Sequence, residues 1–91
     1  MRTIHKHKLS FERPITVTLP EDAIPVHVGV QNREVYVWIE FDPEATVTLT
    51  ADIEIFGTGH DIPADYDHCG SCFDRDYVWH VYAIAKLLPD V

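Results

Sequence analysis

The chain lacks a long apolar run. No stretch approaches the roughly 18–20 consecutive apolar residues that a membrane-spanning helix needs. The opening MRTIHKHKLSFERP carries positive charge with no apolar segment behind it, so it does not read as a signal peptide. The expected location is therefore cytoplasmic. Cations are scarce too: 7 Lys and Arg stand against 15 Asp and Glu, for a net charge of −8. A phosphate backbone needs a cationic footprint, so direct nucleic-acid binding is not expected. Cysteine occurs only at Cys69 and Cys72. A structural zinc site usually draws its four ligands from two Cys-x-x-Cys-like pairs, and there is no second pair. The HExxH and P-loop spacings are missing, as is any Ser-His-Asp or Cys-His signature of a nucleophile. No internal repeat, linker or low-complexity segment interrupts the chain, and 91 residues fit one domain over 1–91.

What is present is a two-residue rhythm. ITVTLP sets Ile15, Val17 and Leu19 against Thr16 and Thr18. VHVGVQ sets Val26, Val28 and Val30 against His27, Gly29 and Gln31. EVYVWIEF turns Val35, Val37, Ile39 and Phe41 one way and Tyr36, Trp38 and Glu40 the other. TVTLTADIEI repeats the pattern, with Val47, Leu49, Ala51, Ile53 and Ile55 inward. Such alternation means half-buried strands, and the β-branched and aromatic residues favour them. Asn32 and Arg33 read as a tight hairpin turn. YVWHVYAI, at Tyr77–Ile84, is apolar on both faces, which places it centrally in a sheet or at a subunit contact. Ile84, Leu87, Leu88 and Val91 fall at helical spacing, cut short by Pro89. Strands are expected near 2–9, 14–19, 25–31, 34–41, 46–56, 67–73 and 76–84. The expected fold is all-β: one compact antiparallel sandwich or barrel of six to seven strands, closed by a short C-terminal helical turn. With 46% hydrophobic and 11% aromatic residues the chain can fill a core, so disorder is excluded for its body.

The chemistry-bearing residues gather in FGTGHDIPADYDHCGSC, Phe56–Cys72. Gly57, Thr58, Gly59 and His60 form a glycine-rich turn after a strand. Its backbone N–H groups could cradle an anion, although glycines there more often make a bulge or a sharp turn. His68 and His80 come from the strands that converge on it. A histidine trio can hold a metal, but the preferred reading is that these histidines tie loop backbone by hydrogen bonds. In an extended segment Cys69 and Cys72, three apart, point to opposite faces and cannot share a ligand; at a turn they can. His5 and His7 share a strand face beside lysines and read as a solvated pair. Tyr36 and Trp38 lie on the face of their strand that alternation leaves outside, Trp79 lies on the strand that is apolar on both faces, and the face carrying the three is assigned to partner contact. The acidic excess is either a solvated face that keeps the chain soluble or a surface that occupies another protein's basic groove, as DNA mimics do.

IHKHKL, VTLPEDAIPVHVGVQNREVYVW, FGTGHDIP and VWHVY, in that order, resemble a family of small uncharacterised proteins known mainly from tailed bacteriophages, a domain of unknown function. The resemblance covers most of residues 3–82. It puts Gly57, Thr58, Gly59 and His60 on the family's glycine-rich turn, His68 and Gly70 on a second histidine-glycine, and Trp79 and His80 on its final strand. Cys69 and Cys72 depart from the family pattern, which favours buried thiols. The resemblance implies a phage protein at work in an infected bacterium and supplies no activity. The expected function is a non-enzymatic accessory protein that binds a host factor or a small ligand, with counter-defence as its role. Two alternatives stand beside it. One is a small-ligand or metal-binding protein centred on Gly57–His60, His68 and His80; the other is a virion structural or assembly protein. No catalytic residue, metal or cofactor is assigned. The partner is expected to be a host protein or small molecule, with no membrane, and the chain is expected to form a homo-oligomer.

Overall fold

A computed structural model describes residues 1–86. Seven strands follow one another: β1 (Thr3–Lys8), β2 (Ile15–Pro20), β3 (Ile24–Gln31), β4 (Glu34–Phe41), β5 (Thr48–Gly57), β6 (Asp67–Asp74) and β7 (Tyr77–Lys86). They form two sheets, β1-β4-β3 and β2-β5-β7-β6, in which all neighbouring strands run antiparallel. The sheets are open and share one core, so the barrel alternative is not realised: among the described residues no ladder joins one sheet to the other. No helix occurs among the described residues, and so none crosses a membrane. Of the expected C-terminal helical turn, Ile84 lies within β7; the rest falls on residues 87–91, outside the described residues.

The core lies between the two sheets. Val35, Val37 and Ile39 of β4 and Val28 of β3 face Leu19 of β2, Ala51 and Ile53 of β5, Cys72 of β6 and Val81 of β7, all buried. Those of β2, β3, β4 and β5 are inward members of alternating strands, which is why the rhythm was visible in the sequence. β7 is central in its sheet, between β5 and β6. Its inward residues, Trp79, Val81 and Ala83, pack on the core. Its outward Tyr82 meets the ring of Phe56 edge-on at 5.7 Å, and Tyr66 meets Phe56 at 6.1 Å. Tyr82 thus finds a partner within the chain, while Tyr77 and Ala85 of the same strand remain exposed.

Three expectations of facing fail for local reasons. A register shift between Pro25 and His27 makes Val26 the extra residue of a bulge, and it is exposed rather than inward. Val47 precedes β5 and is exposed. His7 is half-buried, with its Nε2 out of solvent and without a partner among the described residues, and burial lowers its pKa.

The turns follow their residues. Asn32 and Arg33 both have positive φ, 51° and 62°, as a type I′ hairpin turn requires. β3 and β6, at the margins of different sheets, lie side by side. A Cβ on Gly70 would stand 2.8 Å from Cγ2 and 3.1 Å from Cβ of Val28, so glycine permits this approach.

Candidate functional site

Two surfaces carry the residues singled out above. The first is the outer face of the four-stranded sheet. β5 ends in Gly57, and the turn after it is locked from both sides: the Gly57 N–H donates to His60 Nδ1 at 3.1 Å, and the His60 N–H donates to the Gly57 carbonyl at 3.1 Å. Gly59 holds φ at 91°, a conformation that glycine adopts without strain. The expected anion cradle is thus partly spent, because the Gly57 and His60 amides are engaged within the turn. Since His60 Nδ1 accepts a bond, the proton of its neutral ring sits on Nε2.

Beside this turn runs a chain of alternating hydroxyls and imidazoles. Thr58 Oγ1 lies 3.0 Å from His80 Nε2, His80 Nδ1 lies 2.7 Å from Ser71 Oγ, and Ser71 Oγ lies 3.0 Å from His68 Nε2. The register creates it: Ser71 of β6 is directly opposite His80 of β7. A hydroxyl donates one hydrogen bond and accepts others, and a neutral imidazole does one of each, so the run satisfies itself. Ser71 has an imidazole within the reach of a general base. His80, however, spends its other nitrogen on Thr58 rather than on an orienting carboxylate, and the triad logic of an activated nucleophile is incomplete. Among the described residues no group of three or more His, Cys, Asp or Glu is placed to hold a metal ion.

Gly57, Thr58 and His60 also line a shallow depression of about 510 Å³, together with Asp76, Tyr77, Val78 and Trp79. The structure therefore brings Gly57, Thr58, His60 and His80 together, with His68 joined through Ser71. Gly59 sits at the turn's apex with open space where a Cβ would be. Ser71 is the member that sequence reasoning missed. The signal was there: counting outward from the Arg75–Asp76 turn pairs Asp74 with Tyr77 and, three steps on, Ser71 with His80.

The two cysteines are free thiols. A register shift between His68 and Gly70 changes the parity of β6, so Cys72 is in the core and Cys69 packs against the core's margin. Both thus turn to the core without a turn in the chain. Burial, reinforced by Asp67, pushes the Cys69 thiol up to about 11; burial and Asp74 raise that of Cys72. Neither is poised as a thiolate near neutral pH.

The second surface is the outer face of the three-stranded sheet. Tyr36 and Trp38 point outward from β4, the central strand. Trp38 meets the ring of His27 at 5.1 Å and that of Tyr36 at 6.0 Å. Gly29, beside them, leaves the space that the His27 ring takes. The Lys6 ammonium lies 4.6 Å from the Tyr36 centroid and donates to Gln31 Oε1 at 2.9 Å. Ile4 and Ile24, both exposed, flank Glu40 in the next row. Arg2 donates to Glu40 and Asp22 at 2.9 and 2.6 Å, and these bonds raise its pKa. Trp79 does not belong to this face. It lies in the other sheet as an inward residue of β7, meeting Phe11 edge-on at 5.0 Å and stacking on Tyr77 at 5.5 Å, so the three aromatics do not share the one face expected of them.

No curated protein and no solved structure matches the chain. Residues 1–88 match the model of a family described as Domain of unknown function (DUF7352), and the chain belongs to that family.

Proposed function

We propose that this protein is a non-catalytic binding protein of a tailed bacteriophage that docks a protein of the infected host cell on the outer face of its three-stranded sheet, in order to counter host defence. One observation carries the docking surface: Tyr36, Trp38 and His27 form an aromatic cluster at the centre of a sheet face, with exposed Ile4 and Ile24 beside it and Lys6, Lys8, Gln31 and Glu34 around it. An aromatic centre within a polar rim is the anatomy of a protein contact, and tryptophan and tyrosine are enriched among the residues that dominate such contacts. The phage setting rests on the likeness of residues 3–82 to phage proteins. The acidic balance fits a partner with a basic surface.

The test is capture from a lysate of the host with three tagged chains: the natural one, Trp38→Ala and His60→Ala. The natural chain and His60→Ala are expected to retain one and the same host protein, and Trp38→Ala to bind it about 30-fold or more weakly, the loss of a central aromatic anchor. Equal retention by Trp38→Ala sinks the reading. Self-association through the same face is its other use, and light scattering separates the two: a dimer that Trp38→Ala returns to monomer mass puts a second copy there instead.

A second reading has its own observation. Trp79 lines the depression beside Gly57, Thr58 and His60, and its indole N–H is buried without an acceptor among the described residues. A small ligand bearing an acceptor would pair it. Native mass spectrometry of chain purified from infected cells would show the added mass, and His60→Ala would lose it.

A further inference from the structure

The residues on the core side of β7 shrink along the strand: Trp79 and Val81, then Ala83 and, exposed near the strand's end, Ala85. Across the ladder, Ala85 stands opposite Ala51 and Ala83 opposite Ile53. Where the alanines are, the sheets are not filled to contact, and a cavity of about 200 Å³ opens between them. Val37 and Ile39 of β4, both buried, lie behind it, and it opens to solvent on the side of Glu21 and Asp67.

An apolar void of this kind offers water few partners. An enclosed one of about 150 Å³ in another protein accepts benzene or xenon, whereas this one is open on one side. The present one has room for a single aromatic ring. Its mouth differs from its floor. Glu21 and Asp67 line it and are exposed, and neither carboxylate is paired with a cation among the described residues. His68, also at the mouth, is engaged with Ser71. The Cys69 thiol in the wall is held neutral by burial.

We propose that this inter-sheet cavity binds a small arylalkyl ammonium ion, its ring among Ala51, Ala83, Ala85 and Ile39 and its ammonium group at the mouth with Glu21 and Asp67. The apolar floor supplies the attraction and the two carboxylates choose the charge. This site is independent of the docking face, since it opens between the sheets and Tyr36 and Trp38 point away from it.

The test is an NMR titration of the full chain with 2-phenylethylamine and, separately, with phenylacetate, which carries the same ring and the opposite charge. Saturable shifts are expected at Ala51, Ala83 and Ala85 with the amine, at an affinity about tenfold or more above that for phenylacetate, the scale of one or two partly screened charge contacts. Ala83→Leu fills the void and should abolish those shifts. Should that variant fail to fold, Asp67→Asn changes only an exposed position and should cut the preference for amine over acid by several-fold. The absence of saturable shifts with the amine, equal affinity for the two probes, or shifts that persist in a folded Ala83→Leu each overturn the proposal.

Discussion

Cys69 is a neutral thiol kept so by its surroundings, and this has a sign in pH. Its folded pKa is raised to about 11, against an ordinary 9.0. A group with a raised folded pKa contributes stability that is fully present below its unfolded value and is lost as pH rises through the folded one. Stability should therefore decline between pH about 9 and about 11, and the decline should be shallower in Cys69→Ala, read as the urea midpoint across that range. An unchanged slope would mean that the thiol titrates as freely folded as unfolded. At this scale the sequence was half legible. Ser71 and His80 could have been paired by counting from the turn. The facing of Cys69 could not, because it depends on a bulge, and a bulge answers to the packing of β6 on β3 rather than to any rhythm in the chain. The same reason hid the exposure of Val26.

Among elements, the contact that decides the geometry is the approach of β6 to β3. Gly70 permits it, and the neighbour that an added methyl meets includes Cβ of Val28, which cannot swing aside without moving the backbone. Gly70→Ala should cost about 1–3 kcal/mol, the usual penalty of overpacking, measured by chemical denaturation; a change within error would show that the strands part easily. The strands themselves were legible nearly to the residue, from residues 34–41 for β4 to 67–73 against the observed Asp67–Asp74 for β6. Alternation is written by burial on one side, and every strand but β1 has one side in the core. The order of strands in the sheets left no such trace, and neither did the sheet to which Trp79 belongs. Its strand is apolar on both faces, so alternation could not say which face was inward.

The whole molecule joins two small sheets through one core, and neither has a second layer of its own. Both should melt together. The two tryptophans lie in different sheets, Trp38 in one and Trp79 in the other. Single-tryptophan chains, Trp79→Phe and Trp38→Phe, should each give the same transition midpoint by fluorescence as by circular dichroism. Midpoints that separate by sheet would mean that the layers fold as independent units. The candidate site was less legible than the fold for a reason of the same scale: the cavity exists only where alanines from β5 and β7 face β4 across a gap, and no single strand records it.

The side-by-side placement of β3 and β6 reaches beyond packing. Of the four strands at sheet margins, these two shelter each other's flanks, leaving β1 and β2 as the places where a foreign strand could add. β1 carries Lys6 and Lys8, and β2 stops at Pro20, which has no amide hydrogen to offer. A further copy arriving at β1 meets like charge, and one arriving at the end of β2 finds a broken template, so the architecture itself discourages growth into fibres.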